Sequence, residues 1–267
     1  MKEIKTISCH GTSFTEGGGF EWDVKSKTEK LDTFYSELPK TEFNYSWPGQ
    51  LQKLTNAKVT NYGKSGHGNL KVYRDVHSIF IDTSIKNDTH LFLIELSQLG
   101  RTELFINELN DYCVINYDIL DDNTIQYNGC GIDYYRDSNE VSAVLHKKKE
   151  FLLEFLKTTK NVKTTIDELQ KNFDFFISFL EYNNLNYRFV NTPLIFFNVK
   201  PDNTKIIKYP SLSNKRVLID FIEYIDEHNL TLEDITKGLV KDPHFSLEGN
   251  KNIANIIYEQ LKQNYKL

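Results

Sequence analysis

His90-Leu-Phe-Leu-Ile-Glu-Leu96 is an apolar run of strand length. A run this short and this apolar reads as a strand covered on both faces, the kind found in parallel sheets. Upstream, Ile4–Ser8 reads as a short strand that stops at Gly11-Thr-Ser-Phe-Thr-Glu-Gly-Gly-Gly19, and Lys58–Tyr62 as another that ends at Gly63-Lys-Ser-Gly-His-Gly68. Between them Pro48 marks a helix start, with Leu51 and Leu54 on an apolar stripe. Asn69–Ile81 follows as a helix through Leu70, Tyr73, Val76 and Phe80. Strands that end in turns of small residues and alternate with helices point to parallel βαβ units. The expected fold is therefore α/β, with three α/β/α layers around a mostly parallel, flavodoxin-like sheet.

Further along, residues 20–46 are polar and aromatic without a clear period and read as a surface excursion. Residues 97–138 hold weak strand pieces at Tyr112–Tyr117 and Asn123–Tyr127 and the turn-rich Asn128-Gly-Cys-Gly131; they read as an irregular insertion or loop array. Val141–Phe155 and Ile166–Leu180 are expected helices, the second through Ile166, Leu169, Phe173, Phe176, Ile177 and Leu180. Asn186–Val190 and Leu194–Val199 are strand candidates, Val217–Ile225 and Leu232–Leu239 are expected helical, and Leu247–Leu261 closes the chain as an amphipathic helix. Without a repeat or a linker, residues 1–267 are expected to form one domain.

Composition narrows the function. The formal net charge is −5 and the sequence pI about 5.8, which disfavours tracking of a nucleic-acid backbone. Hydrophobic residues make up 39% and aromatics 13%, with 25 Asn among the polar residues, so a real core sits under an amide-rich surface. Cys9, Cys113 and Cys130 are odd in number and widely spaced, so neither a disulfide framework nor a zinc site is expected. No signal peptide or membrane-length apolar run is read, and the expected setting is cytoplasmic or virion-associated, with no membrane or nucleic-acid partner.

Ligands of open α/β sheets bind beyond the carboxyl ends of the strands, where the turns carrying Ser13, Gly63 and the Ser97-Gln98…Arg101 tract should lie side by side. Far downstream, Lys241-Asp-Pro-His-Phe-Ser-Leu-Glu-Gly249 sets Asp242 two residues before His244 in a proline-stiffened loop. A carboxylate so placed can orient an imidazole and stabilise its protonated form. In this order the tracts resemble the blocks of SGNH (GDSL-type) hydrolases. Gly11-Thr-Ser13 resembles the Gly-Asp-Ser opening, Asn61-Tyr-Gly63-Lys-Ser-Gly66 the second block, and Asp242-Pro-His244 with Gly249 the last block in a shorter Asp-x-His spacing. Trp47-Pro-Gly-Gln-Leu is similar to a tract of phage-encoded members.

The resemblance implies an SGNH-hydrolase-like fold and a serine esterase. Ser13 would be the nucleophile, His244 its base and later the acid for the leaving alcohol, and Asp242 the orienting group. The amides of Ser13 and Gly63 would stabilise the oxyanion. Gly63 suits that role because a missing Cβ lets substrate come close. Two departures are visible: Thr12 stands where the family usually has Asp, and Leu99 where it usually has an Asn that donates to the oxyanion. Gln98, or else Arg101, could supply the third donor. Family breadth implies small acyl esters, such as O-acetyl groups on carbohydrate, as substrates, and neither cofactor nor metal.

Other tracts carry plainer readings. Gly17–Gly19 lacks a phosphate-loop pattern. His67 reads as an exposed loop residue, with a pocket-facing position as the sharper alternative; His10 beside Cys9 makes no metal site, and Lys147-Lys-Lys149 reads as a solvated helix face. Tyr127, Tyr134 and Tyr135 read as loop packing, with a sugar-stacking wall as the sharper alternative. Against hydrolysis stand a carbohydrate-binding or structural module of the same fold with little turnover, and acyl transfer by the same triad.

Overall fold

The computed structural model describes residues 1–17, 42–64, 67–82, 85, 88–97, 101–119, 125–131, 138–191, 218–220 and 247–267. Five parallel strands form the central sheet: β2 (Thr6–His10), β3 (Lys58–Asn61), β4 (His90–Glu95), β8 (Asn186–Asn191) and β9 (Leu218–Asp220), in the order β3-β2-β4-β8-β9. A separate parallel pair joins β1 (Lys2–Glu3) to β10 (Tyr265–Lys266).

All six side chains of β4 are buried, as its composition demands. Strand alternation sends them to two cores. Leu91 and Leu93 join Ile7, Cys9, Val59 and Val190 on one face, under helices α3 (Trp47–Leu54) and α7 (Leu247–Leu261). Phe92 and Ile94 join Tyr187 and Phe189 on the other, under α4 (Asn69–Asp82) and α6 (Val162–Tyr182). The expected three layers are present.

The helices follow their apolar spacing. Ser46 caps α3, with Pro48 in its first turn, and the Trp47 amide donates to Asn250 Oδ1 of α7 at 2.9 Å, tying the two helices of that face together. Asn161 and Thr164 close a reciprocal capping box at the start of α6. From there Phe173, Phe176 and Leu180 reach the core, and Tyr73 of α4 stacks on Phe176 with ring centroids 4.1 Å apart. Helices α1 (Ser13–Glu16) and α2 (Glu42–Tyr45) are single turns, the second following on residues 18–41, which lie outside the described set.

Two expectations need correction. The supposed irregular insertion contains a three-stranded antiparallel sheet: β5 (Arg101–Ile106), β6 (Asp111–Ile119) and β7 (Ile125–Gly131), in the order β5-β6-β7. It shares a core with α5 (Ser138–Thr159) through Cys113, Ile115, Tyr117, Leu145 and Leu152. Asn128-Gly-Cys-Gly131 lies inside β7, where the register shifts between Asn116 and Tyr117 and leaves Asn128 as the extra residue of a bulge. Glycines inside a strand commonly mark such bulges, which is why the tract looks like a turn in sequence. Second, Leu218–Asp220, inside the segment expected to be helical, is strand β9 and pairs in parallel with Phe189–Asn191 of β8. Leu194–Val199 and Leu232–Leu239 lie outside the described residues.

Candidate active site

Strand β2, second from the edge of the sheet, ends at His10, and the chain turns through Gly11 and Thr12 directly into the helical turn α1. Ser13 opens that turn at the carboxyl edge of the sheet and is 8% exposed. Its neighbours in space come from the two strands that flank β2.

From β3, pairing with β2 runs past the regular strand ends: the Tyr62 amide donates to the Cys9 carbonyl at 2.7 Å and the Lys64 amide to the Gly11 carbonyl at 3.1 Å. This carries Gly63 alongside α1. A Cβ on Gly63 would lie 2.5 Å from the Glu16 nitrogen and 2.6 Å from Thr15 Cβ. The space its missing side chain leaves is thus filled by the α1 turn itself; protein packing, before any substrate approach, requires glycine there. The Gly63 amide donates to Asn61 Oδ1 at 2.8 Å, a local Asx turn. Asn61 Nδ2 in turn donates to the Thr15 carbonyl at 2.7 Å.

From β4 comes Glu95, 1% exposed. Its carboxylate accepts from the Thr12 amide at 3.2 Å, the Thr12 hydroxyl at 2.8 Å, the Thr15 amide at 3.0 Å and the Thr15 hydroxyl. Gly11 is obligatory beside it, since a Cβ there would sit 2.4 Å from Glu95 Oε2 and 2.6 Å from Glu95 Cβ. Burial pushes the Glu95 carboxyl above its ordinary range, while the Thr15 and Thr12 donors and the Arg101 charge pull it back.

Beyond Glu95 the chain enters a polar knot. The Ser97 amide donates to Asn69 Oδ1 at 2.7 Å and the Ser97 hydroxyl to the His67 carbonyl at 3.0 Å. Arg101 Nη1 donates to the same His67 carbonyl at 2.6 Å. Arg101 is largely buried, which lowers the pKa of its guanidinium, with the Glu95 charge acting the other way. His67 is buried at 3% exposure, not the exposed loop residue expected, and its Nδ1 lies 3.6 Å from Asp75 Oδ2. The antiparallel sheet reaches α4 beside this knot: Arg74 pairs with Glu103 at 2.5 Å and stands over the Tyr112 ring at 4.4 Å.

Of the residues singled out in sequence, Ser13 and Gly63 meet at the α1 turn. Asp242, His244 and Gln98 lie outside the described residues, as do Leu99, Tyr134 and Tyr135. Arg101 is held by backbone and hydroxyl acceptors of the Ser97 knot. Lys147 and Lys149 are exposed, and Lys148 pairs with Glu108 at 2.6 Å. Sequence reasoning missed Glu95 and Thr15, and gave Asn61 and Thr12 no part in holding the α1 turn. A signal was present: a lone carboxylate in an otherwise apolar buried strand must find donors, and Thr12 and Thr15 stand one helical turn apart.

No family model and no curated protein matches the chain. Among solved structures it is similar to a G-D-S-L family lipolytic protein from Desulfitobacterium hafniense, at 11% identity and TM-score 0.44 over 96% of this chain and 99% of that one. It is also similar to a psychrotrophic esterase from a Pseudoalteromonas species, at 13% identity and TM-score 0.44 over 97% of each chain. A third, a G-D-S-L family lipolytic protein from Veillonella parvula, gives 14% identity and TM-score 0.38 over 96% and 97%.

Proposed function

We propose that this chain is a serine hydrolase of the SGNH type: an esterase that cleaves small acyl esters, with O-acetyl groups on carbohydrate as its substrates. One observation carries the reading. The two glycine-containing turns that resemble the first two blocks of that family pack against each other at the carboxyl edge of a parallel sheet, with Ser13 at the start of one and Gly63 against its backbone.

In this reading Ser13 Oγ attacks the acyl carbonyl carbon while His244 takes its proton. Asp242 orients the imidazole and stabilises its cationic form. The carbonyl oxygen takes up the negative charge and is held by the Ser13 and Gly63 amides, with Gln98 as the third donor. The tetrahedral intermediate collapses as His244 returns the proton to the leaving alcohol. Water, deprotonated by His244, then attacks the acyl-serine, and the intermediate collapses as His244 returns that proton to Ser13 Oγ, freeing the serine and the carboxylic acid.

The Gly63 amide already donates to Asn61 Oδ1. For catalysis it must share that donor with the oxyanion or turn it over. This engaged amide favours the second reading, a carbohydrate-binding module of the same fold with little turnover.

A fluorophosphonate probe tests the choice. The expected result is phosphonylation of Ser13 Oγ, with fluoride leaving, in the wild type and none in Ser13→Ala. Release of acetate from O-acetylated oligosaccharides should follow the same pattern. Equal labelling of both proteins, or tight oligosaccharide binding with no acetate released and no labelling, would overturn the esterase reading.

A further inference from the structure

The geometry points to Glu95 as the residue that positions the nucleophile, an inference that rests on the esterase reading and adds a residue to the site. Strand order β3-β2-β4 sets the two neighbours of β2 on either side of its end. Each sends one side chain over that end to the α1 turn. Asn61 of β3 takes the Thr15 carbonyl, and Glu95 of β4 takes the Thr15 amide and hydroxyl and both donors of Thr12.

Ser13 stands between the two threonines that the carboxylate holds. Four donors converge on its two oxygens, and the Ser13 amide is not among them. The carboxylate therefore fixes the backbone on both sides of Ser13 without consuming the amide that faces the oxyanion in this mechanism. The carboxylate reaches this turn from a different strand, with the Thr12 hydroxyl among its donors. A carboxylate suits the task because it accepts at every lone pair and has no donor to misplace. Glutamine in its place would aim an NH2 at donors on one side.

A buried carboxylate in a polar cluster has a structural alternative: it holds the turn together and has no influence on the chemistry. The rate of the covalent step separates the two. The wild type, Glu95→Gln, Thr15→Val and Thr15→Ser are titrated with the fluorophosphonate, and the maximal inactivation rate is read separately from the concentration giving half of it. Misplacing a reacting atom by about 1 Å costs on the order of 10²-fold in rate. The expected result is a loss approaching that size in maximal rate for Glu95→Gln and Thr15→Val, with the half-saturating concentration unchanged and the thermal transition intact. Thr15→Ser, which restores the hydroxyl, should recover most of the rate.

If Glu95→Gln fails to fold, Thr15→Val decides, since it keeps the packing volume and removes one donor. Wild-type rates in folded variants would overturn the positioning role and leave the esterase reading standing. Absence of labelling at Ser13 in the wild type would overturn that reading, and this assignment with it.

Discussion

His90 and His10 show how differently two buried imidazoles can be treated on one face of one sheet. His90 bridges two hydroxyls of β2, with Nδ1 2.7 Å from Thr6 Oγ1 and Nε2 2.9 Å from Ser8 Oγ. His10 has neither ring nitrogen hydrogen-bonded among the described residues; it stacks on Tyr62 with centroids 5.1 Å apart. Burial lowers both, His10 to about 3 with His90 as an adverse neighbour and His90 to about 4. A histidine kept neutral by the fold binds its proton in the unfolded chain first, so the stability it contributes is present above about pH 6.5 and drains as pH falls toward the folded value. Glu95 and Glu103, raised by burial, act in the opposite sense above their ordinary pKa. The contribution of His10 is therefore isolated by comparison with His10→Phe, which keeps the ring stack and removes the titration. Between pH 6 and 4.5, urea unfolding should show the wild type losing stability more steeply than the variant, by about 1.4 kcal/mol per pH unit. Parallel curves would mean that His10 is not held neutral by burial.

At the scale of elements, helix α6 offers the sharpest contrast. Phe173 is 0% exposed and meets Phe189 of β8 with ring centroids 4.6 Å apart, whereas Phe175, two residues on, is 79% exposed. Truncating a buried phenylalanine to alanine costs about 3–5 kcal/mol, while an exposed one changes stability by about 0.5 kcal/mol or less. Phe173→Ala should lower the urea midpoint accordingly at unchanged slope and Phe175→Ala should leave it in place. Similar losses from both would contradict the helix orientation. That orientation was legible from the recurrence of Ile166, Leu169, Phe173, Phe176, Ile177 and Leu180, as was the strand nature of His90–Glu95 from its short apolar run, and all six of its side chains are buried. Strand β5 was not legible, and β7 only at its Ile125–Tyr127 start, for physical reasons. Arg101 and Glu103 sit among the β5 residues yet are satisfied by tertiary partners, the His67 carbonyl and Arg74, that local pattern cannot supply. In β7 the bulge glycines imitate a turn. Leu218–Asp220 is strand because β8 offers it an edge, which three apolar-rich residues cannot announce.

In the molecule as a whole, the parallel order β3-β2-β4 converts short tracts distant in sequence into neighbours at one edge. The meeting of the Ser13 and Gly63 turns could be anticipated, because parallel βαβ units put every strand-to-helix turn on the same side. The clamp around Ser13 could not, since it depends on which side chains of β3 and β4 lean over the end of β2. The order that brings these turns together should also bring in the loop ahead of α7, whose Ile253, Ile256 and Ile257 pack in the same core as Ile7 and Leu93. We expect His244, three residues before Leu247 opens that helix, to face the α1 turn. The most direct measurement is the separation between Ser13 Oγ and the His244 ring in a crystal structure of the chain. The expected value is within hydrogen-bond reach, about 3 Å or slightly longer before substrate binds. An imidazole on another edge of the sheet would contradict the catalytic assignment and leave the α1 turn as a well-anchored corner of an α/β fold.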